Sequence, residues 1–462
     1  MALRFLVHPD FADDDSVVRP LPRYHRSMRK ITLAIVLGLL ALSAAQARSD
    51  DSPPVPELPA PGGGGFTQPR VIGWADGQTP LAPAGFRVEL FAAGLDSGRW
   101  PYVLPNGDVL VSQARTESMG GIPPAVIEEL KRQGMFGPSA DNIILLRESD
   151  AGITRSVFLE GLNQPFGMLL HRGFLYVANT DALLRFPYRE GQLRISGPGQ
   201  KLIDIPAGEQ INPWNNHWTR NLIASADGEK LYLSVGSATD ANADGNEQPE
   251  RAAVWELNLD GSGKRLFATG LRNPVGLAIE PSSQHLWATV NERDGLGNDV
   301  PPDYLARVVE GAFYGWPYVY YGTYPDPTQA KLAPERVAMA QQTARVPELA
   351  LGGHSVPLGL LFYQQENFPA RYRQGAFVAR RAGVGRTKLI GPDVIFLPFR
   401  DGSPTGEIEV FLDGFVVDAE RGTVHGRAVG LATLPDGSLL VTDDGANVIW
   451  RIRYIGGEQA GR

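Results

Sequence analysis

The run Gly426-Arg427-Ala428-Val429-Gly430-Leu431-Ala432, followed by Pro435-Asp436-Gly437 and then Leu439-Leu440-Val441, reads as an apolar strand, a tight turn and a second apolar strand. Asp-Gly between apolar runs is a strong hairpin signal, because both residues tolerate positive φ. The unit recurs along the chain. Gly94-Leu95 leads to Tyr102-Val103-Leu104, Pro105-Asn106-Gly107-Asp108 and Val109-Leu110-Val111. Gly161-Leu162 leads to Phe166-Gly167-Met168 and Phe174-Leu175-Tyr176-Val177. His217 leads to Asn221-Leu222-Ile223, Asp227-Gly228 and Leu231-Tyr232-Leu233-Ser234. Gly270-Leu271 leads to Val275-Gly276-Leu277-Ala278-Ile279 and His285-Leu286-Trp287, and His354 leads to Leu358-Gly359-Leu360 and Ala376-Phe377-Val378. Six recurrences predict an all-β chain folded as a six-bladed β-propeller of four-stranded blades. A pair of sandwiches is the competing architecture, but it would not predict a repeated motif. The spacing exceeds the roughly 40–50 residues of minimal blades, so insertions are expected at 117–139, 240–250, 293–324 and 364–373. Within the first, Ala125 to Gln133 reads as a short helix.

Composition agrees. Of 462 residues, 53 are Gly and 37 Pro, without a Gly-X-Y period, which favours turns over helical bundles. The net charge of -8 offers no basic field to a nucleic acid. With no cysteine, disulfides, thiolate nucleophiles, Cys-ligated zinc, iron–sulfur clusters and covalent c-type haem are excluded.

The N-terminus reads as an address. Arg26, Arg29 and Lys30 precede an apolar run from Ile31 to Ala45, which ends in Ala45-Gln46-Ala47. This is the charged, apolar and small-residue order of a secretory signal, with translation starting at Met28. The expected organisation is an extension and signal peptide over 1–47, a Pro/Gly-rich linker over 48–70, and one propeller domain over 71–462. Cleavage after Ala47 places the protein in the periplasm or outside the cell, with no membrane span. An uncleaved segment would anchor it.

In a propeller, residues just before the innermost strands ring one mouth of the axis. Here those positions hold Arg99, Gln164, His217, Arg272, Asn273, His354 and Arg427. Cations gathered in one cavity of an acidic protein suit a small anion.

Specific words then carry a resemblance. Leu271-Arg272-Asn273-Pro274-Val275-Gly276-Leu277-Ala278, Trp287 to Asp294, Pro302-Asp303-Tyr304-Leu305 and Gly311-Ala312-Phe313-Tyr314-Gly315-Trp316-Pro317-Tyr318 resemble PQQ-dependent soluble aldose dehydrogenases. His217-Trp218-Thr219-Arg220-Asn221-Leu222 and Leu231 to Ser237 are similar to the glucose/sorbosone dehydrogenase family's sorbosone branch. The resemblance implies a six-bladed propeller that oxidises a sugar or sugar aldehyde by hydride transfer to pyrroloquinoline quinone (PQQ) beside Ca²⁺, with electrons passed to an external acceptor such as a separate cytochrome or quinone. Matched residue by residue, it implies His217 as the general base. Gln164, Arg272, Asn273, Arg386 and Arg427 are the implied cofactor contacts, and the metal lies near Arg293 and Asp294. Arginines suit carboxylates, histidine suits proton removal near neutrality, and calcium takes oxygen ligands. His354 and His425 are further basic groups near the expected mouth. Asp240 to Asn246 reads as an ordinary insertion.

The pattern departs at one place. Sorbosone-type relatives carry His-Gly-Ser-Trp-Asn-Arg where this chain has Arg381-Ala382-Gly383-Val384-Gly385-Arg386, keeping only the final arginine. That leaves two competing readings open: a non-catalytic binding propeller, and a Ca²⁺-dependent propeller hydrolase or lactonase.

Overall fold

The computed structural model describes residues 52–117, 123–208 and 215–456. The signal segment and its Ala45-Gln46-Ala47 site lie outside the described residues. No described helix is long and apolar enough to cross a membrane.

Among the described residues, six sheets of four or five strands follow one another along the chain. Their first strands are Gly98–Val103, Met168–His171, Arg220–Ala224, Asn273–Ile279, Pro357–Phe362 and Ala428–Thr433. Each contacts the next, and the last contacts the first, so the inner strands form a closed ring. Within a sheet the strands pair antiparallel and run outward. The final sheet is completed by Phe86–Ala92 from the start of the domain, which pairs with Val448–Tyr454. That pairing ties the start of the propeller domain to its last strand and leaves no gap in the ring.

The repeated words have physical reasons. Asp227-Gly228 and Asp436-Gly437 turn with Gly φ of 71° and 78°, and each Asp carboxylate accepts a backbone N–H two residues on. The glycines of the inner strands answer to crowding. A Cβ on Gly276 would lie 2.5 Å from Leu358 O, and one on Gly430 would lie 2.6 Å from Arg99 O. Only glycine lets neighbouring inner strands approach that closely. Beside them, Trp100, Phe166, Trp218, Val275, Leu358 and Val429 form one apolar cluster, one residue at or beside each inner strand. This cluster plugs the axis. Burying a side chain of this kind contributes roughly 1.5–3 kcal/mol.

Three elements differ from expectation. The short helix runs Pro124–Arg132, as the sequence predicts, but helices Gln329–Leu332 and Pro334–Thr343 were not foreseen. Residues 52–70 do not hang free as a linker. Gly62 N donates to Leu296 O, Thr67 N donates to Arg386 O, and Arg70–Val71 pairs in parallel with Thr423–Val424. Leu58 and Val55 pack on the core. Pro and Gly composition describes both a free linker and a strap whose backbone finds partners; here it is a strap.

Candidate functional site

Above the axial plug lies a cavity of about 270 Å³, near the small end of the range for ligand sites. Arg99, His217, Arg272, Asn273, His354 and Arg427 all line it, as does Asp294. The ring expected at the mouth is therefore one site, except for Gln164. The insertions make its hood: Val126 and Leu130 of the short helix, then Met135 and Phe136, with Phe66 from the strap.

One end of the cavity is cationic. Asp444, fully buried, accepts from Arg381 Nε at 2.9 Å, pairs with Arg427 Nη2 at 3.0 Å, and contacts Arg99 Nη1. Burial alone would raise the Asp444 pKa, but Arg381, Arg427 and Arg99 together pull it down to about 2. Burial, with Arg381 alongside, lowers the Arg427 guanidinium to about 9, and burial lowers Arg99 to about 10. Three guanidinium groups on one carboxylate leave a net positive charge of about two. The buried Nε atoms of Arg99 and Arg427 have no hydrogen-bond partner. Desolvated donors without acceptors are costly, so this end is shaped for an anion that supplies them.

The opposite end is acidic. Arg272 is spent on the protein: Nη2 binds Asp240 Oδ1 at 2.6 Å, Nε donates to Asp240 O, and Nη1 donates to Glu292 O at 2.6 Å and Asn291 O at 3.2 Å. Burial pushes the Glu292 carboxyl up to about 8 against the pull of Arg272, and its Oε1 has no hydrogen-bond partner. Burial also raises Asp303 to about 6, although its oxygens accept Glu292 N and Val356 N, both at 2.8 Å. His354 holds the loop from below. Its Nε2 lies 2.8 Å from Gly297 O and its Nδ1 lies 2.8 Å from Asp294 Oδ1. Burial would lower its pKa, but Asp294 wins and raises it.

His217 stands between the two ends, half-buried. Its Nδ1 lies 2.8 Å from Ser237 O and 2.9 Å from Ser237 Oγ, whose own proton goes to Thr239 O at 2.7 Å. A carbonyl only accepts, so Nδ1 carries the proton and Nε2 is the bare nitrogen. Burial first, then the positive charge of Arg272, holds its pKa well below the usual histidine value. This corrects the near-neutral titration expected from the residue type.

Other expected residues lie elsewhere. Gln164 Nε2 donates to Arg115 O at 2.7 Å, away from the cavity lining. Arg386 pairs with Asp299 at 2.9 Å and donates to Gly353 O, tying two loops together. Arg293 turns to Asp326 at 2.7 Å. His425 stacks on Trp74 and binds Gly73 O, a packing role. Among the described residues, no group of three or more His, Asp or Glu side chains is placed to hold a metal ion. The loop carbonyls of Asn291, Glu292, Asp294 and Gly297 already accept from Arg272, Arg293 and His354. The sequence reading missed Asp444, Asp303 and Asp240. Asp303 stands within the quoted Pro302-Asp303-Tyr304-Leu305 and Asp444 lies just past the strand Leu439-Leu440-Val441, but nothing in the spacing says which side chains they meet.

Residues 200–385 match the family model described as Glucose / Sorbosone dehydrogenase. The chain is similar to that family. A Borreliella burgdorferi protein described as uncharacterized is 29% identical over 307 residues, covering 63% of this chain and 76% of the relative. A family AA12 carbohydrate-active enzyme of Trichoderma reesei superposes with a TM-score of 0.64 at 18% identity, covering 83% of this chain and 99% of the other. The holo PQQ domain of a Coprinopsis cinerea pyranose dehydrogenase gives 0.62 at 18% identity, over 81% and 97%. The PQQ-bound aldose sugar dehydrogenase of Streptomyces coelicolor gives 0.53 at 16%, over 81% and 99%. At these identities the structures share the glucose/sorbosone dehydrogenase fold, a β-propeller.

Proposed function

We propose that this protein is an exported, PQQ-dependent oxidoreductase of the glucose/sorbosone dehydrogenase type, built on a six-bladed propeller and acting on a sugar or sugar aldehyde. The observation that carries the reading is the cluster of Arg99, Arg381 and Arg427 around the single carboxylate of Asp444, inside a cavity that also holds a bare imidazole nitrogen. The closed ring of six inner strands supports the blade number.

The donor set fits PQQ, a compact acid with three carboxylates. Arg99, Arg381 and Arg427 would hold those carboxylates, and Asn273, whose Oδ1 is buried without a partner, lines the cavity beside Arg272. Bound PQQ would supply a two-electron acceptor for the hydride that leaves the substrate carbon. His217 Nε2 takes the hydroxyl proton as that hydride departs, since a carbonyl forms only when both leave. Ser237 O keeps the other ring proton in place throughout. The hood of Leu130, Met135 and Phe136 keeps bulk water from the reacting carbon. Arg381 thus takes a cofactor-holding place in the segment that departs from the family word.

Ca²⁺ asks for six to eight oxygens, and the carbonyls of Glu292, Asp294 and Gly297 already accept from Arg272, Arg293 and His354. Among the described residues no cluster of three or more His, Asp or Glu side chains adds to these carbonyls, so the donors present do not fit the ion.

Absorbance titration of the purified protein with PQQ, followed by dye reduction across a panel of aldoses and aldehydes, tests the proposal. Stoichiometric binding with turnover of at least one sugar is expected. A folded protein that binds no quinone points instead to a binding propeller. Sequencing of the mature N-terminus tests export, with Arg48 expected as the first residue.

A further inference from the structure

Two arginines meet behind His217. Arg251 Nη2 donates to Ser237 O at 3.0 Å and to His217 O at 3.1 Å, and its Nε donates to Gly236 O at 2.7 Å. Arg220 Nη1 donates to the same His217 carbonyl at 2.6 Å. Arg220 is fully buried and Arg251 nearly so. Among the described residues neither is ion-paired with a carboxylate; their remaining acceptors are carbonyls and the amide oxygens of Asn215 and Gln248. Glu247 and, for Arg220, Asp181 act on them only as nearby charges, and two buried cations without a direct ion pair among the described residues are an expensive way to brace a turn, where a neutral side chain would serve. Glu250 and Ala252, on either side of Arg251, adopt left-handed φ of 65° and 53°. The backbone accepts that strain where it aims the guanidinium inward.

The oxygen that accepts the His217 Nδ1 proton is therefore itself gripped by Arg251. Among the described residues no carboxylate bonds the ring from behind, the arrangement that usually orients a catalytic histidine. A carboxylate would favour the imidazolium. A carbonyl does so far more weakly, and burial with the charges of Arg272, Arg251 and Arg220 acts against it.

We infer that Arg251, backed by Arg220, is a positioning residue for His217: it holds Ser237 O as the acceptor for Nδ1, leaves Nε2 bare toward the cavity, and keeps the ring neutral at rest. This rests on the reading of His217 as the base. The fork of Arg251 fixes the tautomer and its charge adds to burial and Arg272 in keeping the ring neutral, so the two roles separate in two substitutions.

The test is long-range ¹H–¹⁵N NMR of histidine-labelled full chain without cofactor, with His217 assigned by its loss in His217→Gln. In the wild type the Nδ1–H tautomer is expected to persist well below pH 6.5. Arg251→Met should raise the His217 midpoint by about one pH unit or more. Arg251→Lys keeps a charge but loses the fork, so the ring should stay neutral and populate both tautomers. If Arg251→Met does not fold, as judged by circular dichroism, the tautomer ratio in Arg251→Lys decides alone. A wild-type midpoint and tautomer in the folded variants would overturn the inference. Full turnover by PQQ-loaded His217→Gln would instead overturn the base assignment, a result the ring spectra do not depend on.

Discussion

His217 Nδ1 lies 2.8 Å from Ser237 O, and that contact leaves Nε2 as the only ring nitrogen able to accept a proton. With the ring pKa held well below 6.5 by burial and Arg272, the loaded enzyme should show no acid limb in kcat/KM between about pH 6 and 7. A stability effect follows from the same shift. Below about pH 6.5 the unfolded chain takes up a proton on this residue and the folded chain does not. The contribution is fully present above that pH and falls away as pH drops, by about 1.4 kcal/mol per unit. His217→Gln should flatten the acid side of a plot of unfolding free energy against pH, as measured by urea titration.

Glu292 runs the other way. Burial raises its carboxyl to about 8, so the folded protein without cofactor holds a proton there that the unfolded chain releases near pH 4.5. That stabilisation is complete below about pH 4.5 and disappears as pH rises through about 8. Glu292→Gln keeps a neutral group in place. Its unfolding free energy should match wild type near pH 5 and exceed it by a few kcal/mol near pH 9.

The Asp444 hub separates cofactor residues from loop ties. Arg427→Ala or Arg381→Ala should weaken PQQ binding by about ten-fold or more, the effect of losing one charge-assisted contact. Arg386→Ala should leave the PQQ Kd unchanged, because Arg386 is spent on Asp299 and backbone carbonyls outside the cavity lining. Asp444→Asn strips the one carboxylate shared by three guanidinium groups and should cost about 3–5 kcal/mol of stability. Equal PQQ affinities across all three arginine variants would move the anion site away from this end.

The strap gives a fourth expectation. A chain starting at Gly73 loses the Arg70–Val71 pairing with Thr423–Val424 and the Thr67 N to Arg386 O bond. It also loses Phe66 from the cavity wall. Its Tm should fall below that of a chain starting at Arg48. An unchanged Tm would mean the strap contacts add nothing to the fold.

The strands and their turns were legible because the units repeat local causes: an Asn-Gly or Asp-Gly turn in three of them, and in four of them a glycine where inner strands crowd. The cavity's ring was legible for a related reason, since Arg99, His217, Arg272, His354 and Arg427 occupy one place in successive units. Asp444 was not, because its partners come from positions 99, 381 and 427, and no local pattern joins them. Arg272 shows the same limit from the other side. Its identity suggests a carboxylate clamp, yet its donors go to Asp240 and to the backbone of 291–292. The strap at 52–70 hid behind its composition. Helix Pro334–Thr343 buries only Val337 and Ala340, too sparse an apolar face to stand out in the sequence.

The most direct measurement is turnover of an oxidisable sugar by the PQQ-loaded protein, wild type beside His217→Gln, with bound quinone quantified in both by absorbance. The account predicts equal quinone occupancy and a kcat lower by about 10²–10⁴ in the variant, the range for loss of a general base. Equal turnover in the two proteins, or a folded wild type that takes up no quinone, would contradict it.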